Sequence, residues 1–430
     1  MSEGLAWWRR RSFLTIQSAL AQLGCDGCVC RAPSPTGKCR TVIVATRAEL
    51  IATLSDLVAI NSINPGLVAG APGEGALALA IAERLRRTPG IEVELQEVEP
   101  GRPNVIATVR GGPGRTLLLN GHTDTVGVAG MDAPFTARIE GDRLYARGAS
   151  DMKDGLTAMI HVLEAAARSG DFPGTLVGTF VLDEEYASIG TQAICDVIER
   201  WQPHGALVLE GTNLEMTVAH KGYFAAEIET RGRAVHGSDY AAGIDAICYM
   251  GRVLVELEQL GNDYLTREPH PMLGPSSIHA SLISGGRELN SYPDRCTLQL
   301  EARTATGHSA EQVLAELQAM LDRLAAADPT FTGEVRLLFA RDPLNVPLDA
   351  EIVRTVSAVV ERERGRPPKH KGGSGWTDTA LFTAVGVPAV LFGPHGEGAH
   401  SLDEWADLAV LEQFTRVLYS VAVEFCGGSA

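Results

Sequence analysis

The chain has 430 residues, more than one hydrophobic core usually spans, so two domains are expected. Its 37 basic and 53 acidic residues give a formal net charge of −16, which argues against nucleic acid and anionic membrane surfaces as partners. No apolar run reaches the roughly 20 residues of a membrane span, and 45% hydrophobic with 21% charged residues is the balance of a soluble globular protein.

Residues 1–45 read differently from the rest. Cys25, Cys28, Cys30 and Cys39 put half of the eight cysteines here, but Cys-x-x-Cys-x-Cys lacks the regular second pair of a zinc clip. Arg10-Arg11-Ser12-Phe13-Leu14 resembles a twin-arginine export core, yet Gln17, Ser18 and Gln22 leave the following stretch poorly apolar. A disordered leader, or non-native sequence from an upstream start codon, is the expectation. Cys195, Cys248, Cys296 and Cys426 are scattered, as in a reduced cytoplasmic protein. Cytoplasmic location is therefore expected, with export left open by the arginine pair.

The spacing of Leu50, Leu54, Leu57 and Val58 predicts an amphipathic helix from Arg47 to Ala59. A Pro/Gly-rich loop from Asn61 to Gly75 leads to a second helix, Ala76 to Arg86, which ends before Pro89-Gly90. Val93 to Val98 and Asn104 to Val109 read as short strands. Leu117 to Leu119 then mark the end of a strand buried on both faces. The chain breaks at Asn120-Gly121 and presents His122 and Asp124. Ligands of a mostly parallel sheet bind beyond the carboxyl ends of its strands. An imidazole there suits a metal, and a nearby carboxylate suits the task of orienting it. Taken alone, a histidine after a strand is more often a hydrogen-bonded loop residue. Phe135 to Leu144 reads as a hairpin turning at Gly141-Asp142. The pattern is α/β, a mostly parallel sheet flanked by helices.

Asp151 precedes a long helix running to about Ala167, where an N-cap is the simple reading. Thr175 to Leu182 is a buried strand ending in Asp183-Glu184-Glu185. Three adjacent acids at its mouth would repel one another and lose hydration, so they require cations or protons. Ala206 to Leu209 ends in Glu210, and the Gly-rich loop after Ala389 to Phe392 delivers His400. Several strand ends thus finish in metal-competent groups.

The stretch from Thr217 to Arg341 has its own character. Strands Tyr223 to Thr230, Cys296 to Ala302 and Glu334 to Phe339 alternate with helices Gly243 to Leu257 and Ala310 to Ala325, two strand-helix-strand units of a small α+β layer. The main domain resumes at Pro347 with a helix to about Glu363. The division expected is 46–216 and 342–430 for the main domain and 217–341 for the insert. By itself His236 reads as an exposed loop histidine. Gly372-Gly-Ser-Gly375 before Trp376-Thr377-Asp378 reads as a backbone-lined substrate loop or an ordinary flexible turn.

Taken in order, Gly121-His122-Thr-Asp124-Thr-Val126, Arg147-Gly-Ala-Ser-Asp151-Met-Lys-Asp-Gly155, Asp183-Glu184-Glu185, Glu210-Gly-Thr and His400 resemble the M20 group of dinuclear zinc amidohydrolases and peptidases. That group includes acetylornithine deacetylase, succinyl-diaminopimelate desuccinylase and carboxypeptidase G, and the resemblance runs from about residue 48 to about 425. It implies a zinc-peptidase-like catalytic domain with the insert as lid and dimerisation surface. His122, Asp151 and Glu210 would hold one metal and Asp151, Glu185 and His400 the other, two Zn2+ with Co2+ or Mn2+ as substitutes. Asp124 would fix the tautomer of His122, and Glu184, free of metal, would be the general base. His236 would stabilise the oxyanion of the neighbouring subunit of a homodimer. Asn290 and Arg303 would contact the substrate carbonyl and carboxylate, a structural salt bridge competing for Arg303, and Gly375 would line the substrate loop. Two positions depart from the group: Asp154, where a small residue is usual, and Asp239-Tyr240-Ala241, where a proline is usual.

The activity implied is metal-dependent cleavage of an amide bond, deacylating a small N-acyl amino acid that carries a free carboxylate. A dipeptidase or carboxypeptidase acting on short peptides is the alternative within that group. A non-catalytic binding or regulatory homologue is the alternative outside it.

Overall fold

A computed structural model of the chain describes residues 28–30, 41–128 and 130–428. Arg10-Arg11, Cys25 and Cys39 of the expected leader lie outside the described residues. From the leader the structure describes a short antiparallel pair, β1 (Cys28–Cys30) and β2 (Thr41–Ile43). Val44 and Ala45 already belong to the main core.

Helix α1 (Arg47–Val58) starts with a capping box: the Thr46 hydroxyl accepts from the Glu49 N–H, and the Glu49 carboxylate accepts from the Thr46 N–H. It buries Leu50, Leu54, Leu57 and Val58, the face its spacing predicted. Then come α2 (Gly75–Arg86), β3 (Ile91–Glu99), β4 (Arg102–Arg110) and β5 (Thr116–His122). A hairpin, β6 (Arg138–Glu140) and β7 (Arg143–Tyr145), turns at Gly141-Asp142 as expected. Helix α3 (Asp154–Ser169), β8 (Thr175–Val181), α4 (Ile189–Cys195), β9 (Gly205–Val208) and β10 (Met216–His220) complete the first half of the main body.

The insert runs β11 (Gly222–Arg231), α5 (Ala246–Thr266), β12 (Ser277–Gly285), β13 (Arg295–Thr304), α6 (Ala310–Ala327) and β14 (Thr332–Arg341). It forms a four-stranded antiparallel sheet in the order β12-β13-β11-β14. Its own core contains Phe224, Ile228, Met250, Val253, Leu298, Leu317 and Leu321. Two features differ from the sequence expectation. Helix α5 begins at Ala246, where Asp245 caps it by accepting from the Cys248 N–H, and continues to Thr266, burying Tyr264. Strand β12 has no counterpart in the predicted elements. It is an edge strand with most side chains exposed, so it shows no alternation of burial to read.

The return segment supplies β15 (Leu344–Asn345), α7 (Glu351–Arg364), β16 (His370–Gly373), α8 (Thr379–Ala384), β17 (Ala389–Leu391), β18 (Gly396–Glu397), β19 (Trp405–Asp407) and α9 (Leu408–Cys426). The main sheet has the order β15-β10-β17-β9-β5-β8-β4-β3, with β16 pairing in parallel with β10. Its middle strands β17, β9, β5 and β8 are parallel; β4 and β3 on one side and β10 and β15 on the other add antiparallel pairs. Every residue of β5 is buried, as a strand covered on both faces requires. Helix α3, packed against α9 and α1, is buried almost all round. The four parallel strands therefore end together, at one edge of the sheet. Among the described residues no helix is long and apolar enough to cross a membrane.

Candidate active site

Each parallel strand delivers a donor at that edge. His122 closes β5, Glu184 and Glu185 follow β8, Glu210 follows β9, and His400 comes beyond β17, in the turn between β18 and β19. Asp151 arrives from a wide turn, Ala149–Lys153, in front of α3. The cap position of α3 is Lys153, two residues later, and the Asp151 carboxylate turns to His122 and His400, so Asp151 is not its N-cap.

The geometry is organised about Asp151. His122 Nε2 lies 3.1 Å from Asp151 Oδ1 and 3.2 Å from Glu210 Oε1. His400 Nε2 lies 3.2 Å from Asp151 Oδ2 and 3.0 Å from Glu185 Oε2. One carboxylate thus offers a different oxygen to each imidazole. The donor atoms of His122, Asp151 and Glu210 fall within 4.8 Å of one another, as do those of Asp151, Glu185 and His400. Among the described residues these are the two groups of that kind. Both are sets of imidazole and carboxylate donors, which suit a divalent cation of the zinc, cobalt or manganese type.

Electrostatics describe the same fit. Burial raises the Glu210 carboxyl to about 7, with Asp151 and Glu185 adding like charge against it. Glu184 is raised well above its ordinary value by burial, with Asp378, Glu210 and Glu185 adding to it. His400 is pushed up to about 10 by its hydrogen bonds to Asp151 and Glu185. A cluster that holds protons so tightly lacks positive charge, which bound cations would supply.

Asp124 is fully buried and holds the cluster from behind. Its carboxylate accepts from the Glu184 N–H (3.2 Å), the Glu185 N–H (3.1 Å) and Asn64 Nδ2 (2.7 Å). His122 Nδ1 lies 3.1 Å from the Asp124 carbonyl and 3.4 Å from its carboxylate. One residue therefore sets the ring of His122 and the backbone of both glutamates. Glu184 belongs to neither donor group.

The three adjacent acids do not all face the site. Asp183 adopts φ 70° and turns its carboxylate to Asn64 and Arg102, 3.1 Å from each. Arg102 also holds buried Glu74 at 2.7 and 2.8 Å. His400 is left-handed too, at φ 63°. Such conformations are costly for residues other than glycine and gather at functional sites.

Sequence reasoning missed Asn64, Arg102 and Glu74, and it missed Glu404. That carboxylate, fully buried, accepts from Arg147 Nη1 (2.6 Å) and from the N–H groups of Gly148 (2.9 Å), Ser150 (3.0 Å) and Asp151 (3.1 Å). It ties the turn carrying Asp151 to the segment carrying His400. Its place four residues after His400 was the available signal. Lys153 is buried with Nζ donating to the Leu57 and Ile60 carbonyls, and burial lowers its pKa to about 7. Asp154 is buried in the first turn of α3, accepts from the Gly155 N–H, and is raised well above its ordinary pKa by burial.

The remaining candidates lie elsewhere. His236 is exposed in the connection after β11, with Nδ1 2.8 Å from Ser238 Oγ. The Asn290 carbonyl accepts from the Gly237 N–H at 2.8 Å, so these two segments sit together, and His236 joins neither donor group. Arg303 donates from Nε to Glu301 (2.6 Å) and covers the Tyr223 ring at 4.7 Å, the salt bridge that competes with substrate binding. Gly375 is exposed in the turn after β16.

The chain is similar to known proteins in sequence and in fold. The sequence model of peptidase family M20/M25/M40 matches residues 118–424. An acetylornithine deacetylase from Myxococcus xanthus is 30% identical over 395 residues, 89% of this chain and 99% of that protein. An N-formyl-4-amino-5-aminomethyl-2-methylpyrimidine deformylase from Halalkalibacterium halodurans is 26% identical, over 88% of this chain and 95% of that protein. Among solved structures, aminopeptidase PepT from Bacillus cereus superposes with a TM-score of 0.72 at 17% identity, covering 89% of this chain and 99% of its own. A dinuclear metal-binding peptidase from Bacillus subtilis superposes with a TM-score of 0.68 at 16% identity, covering 88% and 98%. On a family match across most of its length and a relative spanning nearly the whole of both proteins, the chain belongs to peptidase family M20/M25/M40.

Proposed function

We propose that the protein is a metal-dependent amidohydrolase that removes an N-acyl group from a small substrate with a free carboxylate. One observation carries this reading: two donor groups share Asp151, and Glu184 stands beside them unused as a donor. A binding or regulatory protein would need the donors but no free carboxylate beside them. The names of the two curated relatives, a deacetylase and a deformylase, support deacylation over peptide cleavage.

His122, Asp151 and Glu210 would hold one ion and Asp151, Glu185 and His400 the other, zinc by the donor chemistry, with cobalt or manganese as substitutes. Bound ions would acidify the attacking water and polarise the scissile carbonyl. Glu184 takes the proton of that water and returns it to the leaving amine, while Asp124 fixes the base through its backbone. Arg303 would exchange Glu301 for the substrate carboxylate through its planar fork. Asn290 and Gly375 would complete the substrate contacts.

The active form is a homodimer in which His236 stabilises the oxyanion of the neighbouring site. Supporting this, His236 is exposed and stays outside the donor groups of its own chain. The edge strand β12 exposes Leu282 and Ile283 along an unpaired rim, a template for joining a second copy. In this reading 217–341 is the lid and 46–216 with 342–430 the catalytic domain, to whose core the end of the expected leader, Val44 and Ala45, also contributes. The unpaired thiols Cys195, Cys248, Cys296 and Cys426 fit a cytoplasmic location. The test is metal analysis of the purified protein followed by a turnover screen of N-acyl amino acids and dipeptides with zinc, cobalt or manganese. Release of amine from N-acyl substrates supports the reading; cleavage of dipeptides alone would replace it with the peptidase alternative.

A further inference from the structure

The rim of the donor cluster on the Glu185–His400 side carries an apolar strip that no role above uses. Four large hydrophobic side chains stand exposed there: Leu67 (43%), Val68 (38%), Tyr186 (61%) and Leu402 (54%). Tyr186 is the residue after Glu185, and Leu402 lies two residues beyond His400. Three contacts fix where these side chains lie. The Tyr186 ring lies over Gly66, where a Cβ would come within 2.6 Å of it. Val68 lies against Gly127, 3.1 Å from the place of a Cβ there, and Leu402 against Gly130, 3.8 Å from its Cβ position. The loop carrying Leu67 and Val68 is fastened to the site, because the Asn64 N–H donates to the Thr125 carbonyl and Asn64 Nδ2 donates to Asp124. Tyr186 and Leu402 thus stand next to two donors of one group, Glu185 and His400.

Apolar side chains gathered around a polar cluster mark a surface that expects a ligand. Residues 64–68, Tyr186 and Leu402 include no charge, so the strip suits neither the carboxylate of the substrate nor a cationic side chain. Cations that could take the carboxylate, Lys221 and Arg303, lie together at the root of the insert. In an N-acyl amino acid the end left uncharged is the acyl chain.

We infer that this strip receives the acyl chain, and that the preferred substrates are N-acyl amino acids with an apolar acyl group longer than acetyl. The inference rests on the amidohydrolase reading and adds its substrate class. The experiment is a series of one amino acid acylated with acetyl, butanoyl, hexanoyl and octanoyl groups. It is measured as kcat/KM on the metal-loaded enzyme and as calorimetric affinity on metal-loaded Glu184→Gln protein. Each methylene should raise both by about twofold to fourfold until the strip is covered. Val68→Ala and Leu402→Ala should each lower the hexanoyl-to-acetyl ratio by about fivefold, and Leu402→Met should restore it. Turnover with a flat or falling series overturns this inference alone, while absence of turnover with rising affinities overturns only the hydrolase reading. A flat series in which Tyr186→Ala or Leu402→Ala weakens self-association assigns the strip to a second copy of the chain and overturns the inference. A rising series that the substitutions leave unchanged moves the acyl site elsewhere.

Discussion

Glu404→Ala is a severe test of how the site is held, because Glu404 touches neither substrate nor any of the donor atoms. Its carboxylate and the Arg147 guanidinium it binds are 0% and 3% exposed as side chains, 2.6 Å apart. Removing one member of a buried pair leaves the other charge without compensation, at about 3–5 kcal/mol. The three N–H groups of Gly148, Ser150 and Asp151 lose their acceptor as well. Part of this is recovered if water enters the vacated space, so a loss of about 3–5 kcal/mol is expected for the metal-free protein. Urea unfolding of metal-free wild type and variant, followed by circular dichroism, reads it directly. Metal titration reads the second consequence: Asp151 hangs from this carboxylate by its own N–H, and loosening such a support typically weakens metal affinity about 10–100-fold. Glu404→Gln keeps one acceptor and should fall between. A Glu404→Ala protein within about 1 kcal/mol of wild type and with unchanged metal affinity would refute the claim that this contact holds the turn.

Other outcomes follow from the same geometry. His400→Ala and Glu185→Gln should each weaken binding of one metal equivalent while leaving the circular dichroism spectrum intact, and His400→Ala retaining two tight equivalents with normal turnover would undo the assignment. His236→Ala should keep its metal and lose about 10²–10³ in turnover; mixing it with Glu184→Gln subunits should restore partial activity, and no recovery in verified heterodimers would remove its action across the interface. His161 is buried between Thr53, Arg84 and Glu164, and burial with the Arg84 charge lowers its pKa from 6.5 to about 4. The unfolded chain therefore binds a proton between those values that the folded one does not. The stabilisation is complete above pH 6.5 and is lost as pH falls toward 4, by about 2 kcal/mol at pH 5. Urea unfolding of wild type and His161→Gln at pH 7.5 and 5 should show a shallower pH slope in the variant; equal slopes would refute the burial argument.

Much of the site was legible because parallel strands end at one edge. The leucines of β5 announced a doubly covered strand, and a histidine or acid after each buried run announced the donors. What escaped reading depends on contacts far apart in sequence or on local backbone rotation. Glu404 meets the turn before α3 across about 250 residues, and Asn64 meets Asp183 across 119. Nothing in Asp183-Glu184-Glu185 tells that the first acid rotates away through a positive φ and finds Arg102. By spacing alone Asp151 also fits a helix cap, because a cap and a pre-helical ligand share the same residue preference; the resemblance assigns it to the metals. Strand β12 was hidden for a different reason: most of its side chains are exposed on both faces, so no burial period marks it.

The central claim is that two metal equivalents and one free glutamate perform the hydrolysis. Turnover of an N-acyl amino acid by metal-free protein, followed as zinc is added, tests it most directly. The account predicts activity rising to a plateau at two equivalents in the wild type, and Glu184→Gln binding the same two equivalents while turning over at least about 10²-fold more slowly. Full turnover without metal, or a Glu184→Gln protein that matches wild type along the titration, would contradict it.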